Sequence, residues 1–537
     1  MTRRRALGGI LASSALVATS MAVIPSAVSS VGAVTRGCGV VYRAAANGSG
    51  GDIRLTDATS ESALERPLAG MLVHAAAAAD VNADGWPDLF IGTFADRDVD
   101  DYQVRGANGP APDRLLLGSA DGFEVDDSFP GERARTSGAA FADLDADGRP
   151  DLVVARNVDD ADRGRAPTEI LRNVDGAFER AATLDELEGA RSVGVLDYDL
   201  DGRLDLFVTE DRWRGRSSIL YRNLGNFRFE NVTADAGIPD DVDGLGVATT
   251  DLNGDGAPDI FVGGSNRLFV NDGAGAFLEA KGPVFRWKTF GDEDDPAGVA
   301  AGDVNRDGRP DLVIGQHYGS TTDGDRLVPV RLYINTGNDA DGVPEFRDAT
   351  DEAGLTGLPT KAPHVEIVDL DSDGWPDILT TASVDAETPV VFRNRGRAGD
   401  TPAFEINAEP GPAQYWPTGV VVDADRDGRL DVFLAEFDAA KPSLLLLNES
   451  DAGHWLGIET SAGARVTTYR AGAGGNQAAM LGDVTVAGAA GFGSGPPLVA
   501  WFGLGAVTRV DVRIRQPGAR TTTLRAQEGD RMVGPDC

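Results

Sequence analysis

The chain has 537 residues, 42% of them hydrophobic, with 85 acidic and 49 basic side chains and a formal net charge of −36. Such acidity argues against nucleic acid, whose phosphates need basic patches, and against an anionic membrane surface, and it suits a chain that carries cations. The apolar fraction allows a sizeable core, and 68 glycines and 28 prolines imply many turns.

The first segment, "MTRRRALGGILASSALVATSMAVIPSAVSSVGAV", opens on Arg3, Arg4 and Arg5 and continues with an apolar stretch from Ala6 to about Ile24. Small residues follow, with a cleavage point after Ala33 and Val31 two places before it. This pattern predicts a secretory signal peptide over residues 1–33, with a weak twin-arginine likeness in "TRRRAL". No later segment is long and apolar enough to span a bilayer. The mature chain is therefore expected to be exported and soluble, and loss of three arginines and no acids takes its charge from −36 to −39. Cys38 and Cys537 are the two cysteines. In an oxidising compartment they either pair and staple the termini or stand as free thiols, and the sequence leaves both open.

From residue 80 a nine-residue pattern, D-x-[DN]-x-D-G-x-x-D, recurs seven times. The copies are "DVNADGWPD" (80–88), "DLDADGRPD" (143–151), "DYDLDGRLD" (197–205), "DLNGDGAPD" (251–259), "DVNRDGRPD" (303–311), "DLDSDGWPD" (369–377) and "DADRDGRLD" (423–431). Their starts are separated by 63, 54, 54, 52, 66 and 54 residues. A polar turn needs Asp, Asn and Gly in any order, whereas here acids are fixed at positions 1, 5 and 9 and Gly at 6. A hard cation such as Ca²⁺ takes six to eight oxygens, and the pattern supplies side-chain oxygens at 1, 3, 5 and 9. The expected ligands are Asp80, Asn82, Asp84 and Asp88; Asp143, Asp145, Asp147 and Asp151; Asp197, Asp199, Asp201 and Asp205; Asp251, Asn253, Asp255 and Asp259; Asp303, Asn305, Asp307 and Asp311; Asp369, Asp371, Asp373 and Asp377; Asp423, Asp425, Asp427 and Asp431. Position 7 varies among Trp, Arg and Ala, as a backbone-carbonyl ligand would allow, and Gly at 6 permits the tight turn. Up to seven calcium ions are expected. Mg²⁺ fits less well, because it prefers few protein ligands in a strict octahedron.

The flanks of each loop predict strands. Short small-residue runs ("GAAFA", "GVATT", "GVAAG", "GVVV") precede the loops, and β-rich runs ("LFIGTF", "LVVARN", "LFVTED", "IFVGGS", "LVIGQH", "ILTTAS", "VFLAEF") follow. A third strand ends near Asn ("ILYRN", "RLFVN", "RLYIN", "VVFRN"), and a fourth reads "FRFENVT" or "EFRDAT". Four strands in about 54 residues is the period of a propeller blade. The repeats resemble the FG-GAP/VCBS family, whose Ca²⁺-binding blades also occur in integrin α-chain heads. The resemblance implies an all-β fold, a seven-bladed β-propeller over residues 40–450 followed by a small C-terminal β-domain. "DIRLTDAT" (52–59) looks like a fourth strand, so residues 40–59 are expected to complete the seventh blade and remove free edges.

After Asn448 the composition changes, and residues 451–537 are expected to form the second, β-patterned domain. "HWLGIETSAGARVTTY" and "PPLVAWFGLGAVTRVDVRIRQPGA" resemble the ASPIC/UnbV module of cartilage acidic protein relatives and of proteins linked to enediyne gene clusters. The matching residues are Gly463, Ala464, Arg465 and Val466, then Phe502, Gly503, Leu504 and Gly505. The module's usual Trp-Pro-Ser-Gly stands here as Arg515-Gln516-Pro517-Gly518, and its Ser-Gln before the FGLG element is missing. His454 and Trp455, which open this region, are expected at the interdomain contact, and Trp86 and Trp375 between blades.

Because every nine-residue loop joins a first strand to a second, the propeller places all of them on one rim. The opposite mouth then receives His74, His317 and His364, with Trp213, Trp287, Tyr415, Trp416, Arg156 and Glu436. These form a candidate ligand site, set against the alternative that they fill space between loops. No G-x-S-x-G elbow, P-loop, post-strand G-x-G-x-x-G or H-E-x-x-H is present. Two functions stay open. One is a secreted calcium-binding, adhesion-type module that presents its non-metal face to a protein, glycan or small molecule. The other is an exported enzyme or accessory factor of enediyne-type secondary metabolism, with its site at the channel mouth.

Overall fold

A computed structural model of the chain describes residues 39–534, apart from 47, 49, 158–165, 212–215, 282–284, 286–294, 319–329, 356, 385–387, 399, 408–413 and 490. The expected signal peptide, Cys38, Cys537, Trp213 and Trp287 lie outside the described residues. Among the described residues no helix is long and apolar enough to cross a membrane.

The fold is all-β. Seven blades of four antiparallel strands follow one another, the first joined by a parallel fifth strand, Ser494–Gly495, and the sixth by a short fifth strand, Gln414–Tyr415. The third blade shows the plan: Ala190–Leu196, Asp205–Glu210, Ile219–Asn223 and Phe229–Asn231 pair in chain order. In every blade the residue before loop position 1 pairs with the aspartate at position 9, as in Ala79 with Asp88 and Val422 with Asp431. Each nine-residue motif is therefore the connection of the innermost hairpin, in one register seven times. The innermost strands touch around the ring, and Thr418–Val422 of the seventh blade contacts Val73–Ala79 of the first. Side chains at these crowded positions are small; Ala75, Ala76, Ala77 and Ala78 have no exposed surface.

The core lies between blades rather than within them. Phe90 of the first blade packs with Phe141, Leu152 and Val154 of the second, and Val195 and Val208 of the third with Ala140 and Val153. Leu89 and Ile91 of the first blade meet Val420 and Phe433 of the seventh. Burial of apolar surface at each seam is what holds neighbouring blades together.

The N-terminal segment expected to close the ring is split. Leu55–Asp57 pairs with Leu444–Asn448 as the outer strand of the seventh blade. Val40–Arg43 goes elsewhere, pairing antiparallel with Arg531–Val533. It thus becomes the edge of a C-terminal sheet with His454–Glu459 and Val499–Gly505. A second sheet orders Met480–Thr485, Arg465–Arg470, Arg509–Arg515 and Thr521–Glu528. The two sheets face each other across Leu456, Ile458, Phe502, Val466, Val510, Val512 and Ile514, a sandwich core. The local alternation of Val40–Arg43 suits any open edge, and its partner lies nearly 500 residues away, so sequence pattern alone does not choose between the two sheets.

Candidate functional site

The seven loops share one bond and one turn made by their own residues. The N–H of position 7 donates to the position-5 aspartate in all of them, for example Trp86 to Asp84 at 2.8 Å and Arg203 to Asp201 at 3.0 Å. Position 4 takes a left-handed conformation whatever residue stands there, from Leu200 (φ 57°) to Arg306 (φ 58°). The position-9 aspartate is a lock. Its Oδ2 accepts the N–H of position 2, and its Oδ1 accepts an N–H of the third strand. For Asp205 these donors are Tyr198 at 3.2 Å and Asn223 at 2.7 Å. That third-strand Asn then donates its side chain across the seam to the previous loop, as Asn223 Nδ2 does to the Leu144 carbonyl at 2.8 Å. Five other blades repeat this strap with Asn173, Asn271, Asn335, Asn394 and Asn448. In the first blade Gly118 stands at the equivalent place.

The position-9 aspartates gathered in this way are buried, whereas those at positions 1 and 3 range from buried to, at Asp425, exposed. In the second, third, sixth and seventh loops, the carboxylates at positions 1, 3 and 9 each offer an oxygen within 4.8 Å of the others. The groups are Asp143, Asp145 and Asp151; Asp197, Asp199 and Asp205; Asp369, Asp371 and Asp377; Asp423, Asp425 and Asp431. Asp145 Oδ1 and Asp197 Oδ1 are buried and accept no hydrogen bond. Burial, with the neighbouring carboxylates adding to it, pushes Asp88, Asp151, Asp303 and Asp423 up to about 7 and Asp205 and Asp259 up to about 8. Asp311, Asp369, Asp377 and Asp431 are held well above the usual range by the same cause. Clustered hard oxygens whose ionisation the fold disfavours fit a hard divalent cation, which supplies the missing charge.

The expected ligand set is only partly assembled. Among the described residues, the position-5 aspartates do not join the three-carboxylate groups. Where position 7 is Arg, its guanidinium holds them: Arg149 to Asp147, Arg203 to Asp201, Arg309 to Asp307 and Arg429 to Asp427. The same arginines donate Nε to the carbonyl of the third-strand Asn, at 2.8 Å from Arg203 to Asn223. Position 7 is thus a side-chain position as well as a backbone one. In the first, fourth and fifth loops position 3 is Asn, and its amide donates to position 5, as Asn82 does to Asp84 at 2.9 Å. Three further arginines reach the Asp at position 3 from the third strand: Arg172 to Asp145, Arg222 to Asp199 and Arg393 to Asp371.

The C-terminal sandwich touches this rim at five loops. The Gly518 N–H donates to Asp197 Oδ2 at 2.7 Å, Arg465 pairs with Asp251, and Gln477 donates to the Asp307 carbonyl at 3.2 Å. Gly505 donates to the Ser372 carbonyl at 2.9 Å. Tyr42, from the N-terminal strand of the sandwich, donates its hydroxyl to Asp423. Trp455, buried and stacked on Trp501 at 4.6 Å, lies against Gly428 of the seventh loop. His454 pairs with Asp530 at 2.9 Å. Trp86 and Trp375 receive guanidiniums from adjacent loops, Arg426 at 4.8 Å and Arg306 at 4.8 Å.

From the sandwich, the connection after Thr485 enters the propeller channel. The Thr249 N–H donates to the Gly488 carbonyl at 2.7 Å, the Val299 N–H to Gly491 at 3.2 Å and the Ala76 N–H to Gly493 at 3.3 Å. Ser494–Gly495 then pairs parallel with Ala76 and Ala77. The tip is Phe492, 1% exposed among Leu245 and Ala297. A Cβ on Gly491 would stand 2.4 Å from the His364 ring, so this close approach requires glycine.

The three histidines expected at the opposite mouth do converge, and what they meet is this tip. His364 Nδ1 accepts the Phe492 N–H at 3.1 Å while Nε2 faces Glu366 at 2.9 Å. His74 stacks on Phe94 at 4.4 Å and meets Phe437 and Phe492 edge-on. Burial in that cage holds its imidazole well below the usual range, hence neutral. The His317 ring lies 5.5 Å from Phe492. Trp416 is placed differently from the expectation, 1% exposed in the core between the sixth and seventh blades. Arg156 is equally buried, ion-paired with Asp113 and Glu169. Glu436 accepts the Asp438 N–H at 3.0 Å, and burial raises its carboxyl. The 96–114 excursion folds back on the first blade, where the Tyr102 hydroxyl donates to the Phe94 carbonyl at 2.8 Å.

Comparison with known proteins follows the repeats. The FG-GAP-like repeat description matches residues 80–154, 143–208, 197–262, 263–314 and 369–434, together more than half of the chain. Cartilage acidic protein 1 of Homo sapiens is 27% identical over 435 residues, covering 73% of this chain and 61% of the relative. The Mus musculus protein of that name is 26% identical over 425 residues, covering 71% and 61%. The chain therefore spans about three fifths of the length of the curated relatives it matches. Among solved structures, rhamnogalacturonan lyase YesW aligns over 70% of this chain and 71% of that chain, with a TM-score of 0.38 and 14% identity.

Proposed function

The chain belongs to the FG-GAP-like repeat family, and we propose that it is a secreted, calcium-loaded binding module of the adhesion type. The observation that carries the reading is the triple convergence of carboxylates from positions 1, 3 and 9, the position-9 member always buried, repeated in four loops with all-Asp ligand sets. Calcium bound there would neutralise each cluster and convert metal affinity into folding free energy. The residues that would hold it are those at positions 1, 3 and 9, each oriented by loop N–H groups. The position-9 aspartate also ties the loop to the third strand, so a held ion stiffens a whole blade.

The partner side is argued from what the rim leaves over. The sandwich covers loops on the metal side, so the opposite face is the one proposed to meet a protein, glycan or small molecule. Phe492 fills the mouth there, which favours a surface over a deep pocket. Exposed Arg97 lies over Phe437 at 4.9 Å and Arg135 over Phe94 at 4.3 Å, a cationic and aromatic rim of the kind that contacts partners. Secretion rests on the arginine-led leader and the acidic surface. The test is a binding screen of the mature chain against glycans and extracellular proteins, with calcium and with EDTA. Calcium-dependent binding that Arg97→Ala weakens supports the reading. Binding that ignores both would contradict it.

A further inference from the structure

One loop of the seven is wound differently. In six, the Oδ2 of the position-1 aspartate accepts the N–H of the position-6 glycine, at 2.9 Å for Asp80 and Asp143, 3.1 Å for Asp197, 2.8 Å for Asp303 and Asp369, and 3.0 Å for Asp423. In the fourth, among the described residues, no such bond joins Gly256 to Asp251. Asp251 Oδ2 instead accepts Arg465 Nη1 at 3.0 Å, and Oδ1 accepts the Gly254 N–H at 2.7 Å. Arg465 is otherwise fully engaged. Its Nε donates to Asp483 at 2.9 Å and its Nη2 to the Gly308 carbonyl of the fifth loop at 3.4 Å. A second guanidinium, Arg515, lies against the same turn, where a Cβ on Gly256 would stand 2.0 Å from Nη1.

The loop's own positions 3 and 7 are uncharged. Position 3 is Asn253, whose amide donates to Asp255 at 3.0 Å and to the Gly342 carbonyl at 3.3 Å. Position 7 is Ala257, so no guanidinium from within the loop faces the cluster. Two cations fixed by the sandwich therefore face three carboxylates, and a divalent ion on Asp251 would meet Arg465 at contact distance in a largely buried site. Arg172, Arg222 and Arg393 reach position 3 in other loops, but among the described residues only in the fourth does a guanidinium take the position-1 oxygen that the position-6 N–H holds elsewhere, and like charges so placed exclude one another.

We propose that the fourth loop is a guanidinium socket rather than a cation site: Arg465 of the C-terminal sandwich binds Asp251 in place of the ion and docks the sandwich on the ring. The forked, permanently charged side chain suits the task, because it reaches Asp251, Asp483 and the fifth loop at once. The inference rests on the calcium reading above, which the second, third, sixth and seventh loops carry, and it assigns the fourth a different ligand, one carried by the chain itself.

The test is a calorimetric calcium titration of the full mature chain after chelation and dialysis. At least the four ions of the second, third, sixth and seventh loops are expected, with Asp251→Asn leaving the count unchanged and Asp143→Asn lowering it by about one. Arg465→Gln is expected to raise the count by about one, and Arg465→Lys to leave it unchanged. Should Arg465→Gln fail to fold, the Asp251→Asn and Asp143→Asn pair decides alone. Seven ions on the unaltered chain, or the loss of one ion in Asp251→Asn, overturns the socket and leaves the calcium reading standing. No bound calcium at all overturns the calcium reading, and the contrast drawn here falls with it.

Discussion

The two mouths of the propeller are closed by opposite means. At the opposite mouth, Phe492 is enclosed by His74, His317, Leu245 and Ala297, and its N–H is satisfied by His364. The His74 ring there is held neutral by burial. At the rim, buried aspartates are gathered by backbone N–H groups that orient them and leave much of their charge unopposed. One end is closed by packing, and the other gathers carboxylates that the proposed reading assigns to a cation from outside or, in the fourth loop, to Arg465 of the sandwich. The difference teaches that the stability of one fold can be assigned end by end to packing and to electrostatics.

Chelation should separate the two ends most strongly. EDTA is expected to lower the melting temperature by on the order of 10 °C or more, since ligand bound only to the folded state stabilises by mass action. Scanning calorimetry with and without chelator checks this, and equal melting would erase the comparison. Phe492→Ala should cost about 3–5 kcal/mol through the cavity it leaves, read from urea unfolding, with calcium stoichiometry unchanged. A lowered stoichiometry would mean that the ends are coupled.

How much of this was legible follows from where the information lies. The loops, the blades and the strand at Leu55–Asp57 were readable because they repeat a local pattern at fixed spacing. The plug was not. Its residues belong in sequence to the C-terminal domain, and Gly491 and Gly493 are small because they lie against Gly246, Gly298 and Ala76 of the channel. An excess of glycine beside a ring of small-residue strands is a signal that they meet, but it names no register. The interblade strap was within reach, since the Asn ending each third strand recurs with the period. Its acceptor, a carbonyl in the preceding loop, has no sequence signature. The position-7 arginines looked like free variation because Trp and Ala share the position. In the structure, Arg clamps its own loop, whereas Trp accepts an arginine from a neighbouring one.

The strap gives a smaller test of the seams. Asn335→Ala removes donors to the Leu252 carbonyl at 2.8 Å and the Pro310 carbonyl at 3.2 Å, and is expected to cost about 1–3 kcal/mol by urea unfolding. The first blade, with Gly118 in place of Asn, shows that the ring closes with one strap fewer. The smallest effect concerns pH. Without calcium, Asp88, Asp151, Asp205 and Asp303 titrate at about 7–8 in the fold, above the ordinary value of 3.8. A raised folded value stabilises below the unfolded value and loses that stability as pH rises through the folded one. In EDTA the melting temperature should therefore fall by a few degrees between about pH 5 and 8, and calcium should flatten or reverse the slope. A slope of the same sign and size in both conditions would detach the acids from the ion.

The central claim, that the rim is shaped by divalent ions held between its carboxylates, is tested most directly by anomalous diffraction from crystals of the mature chain grown in calcium. The account predicts peaks within about 2.3–2.6 Å of the carboxylate oxygens at positions 1, 3 and 9 in the second, third, sixth and seventh loops. Density there at water distances only, with no anomalous signal, would contradict it.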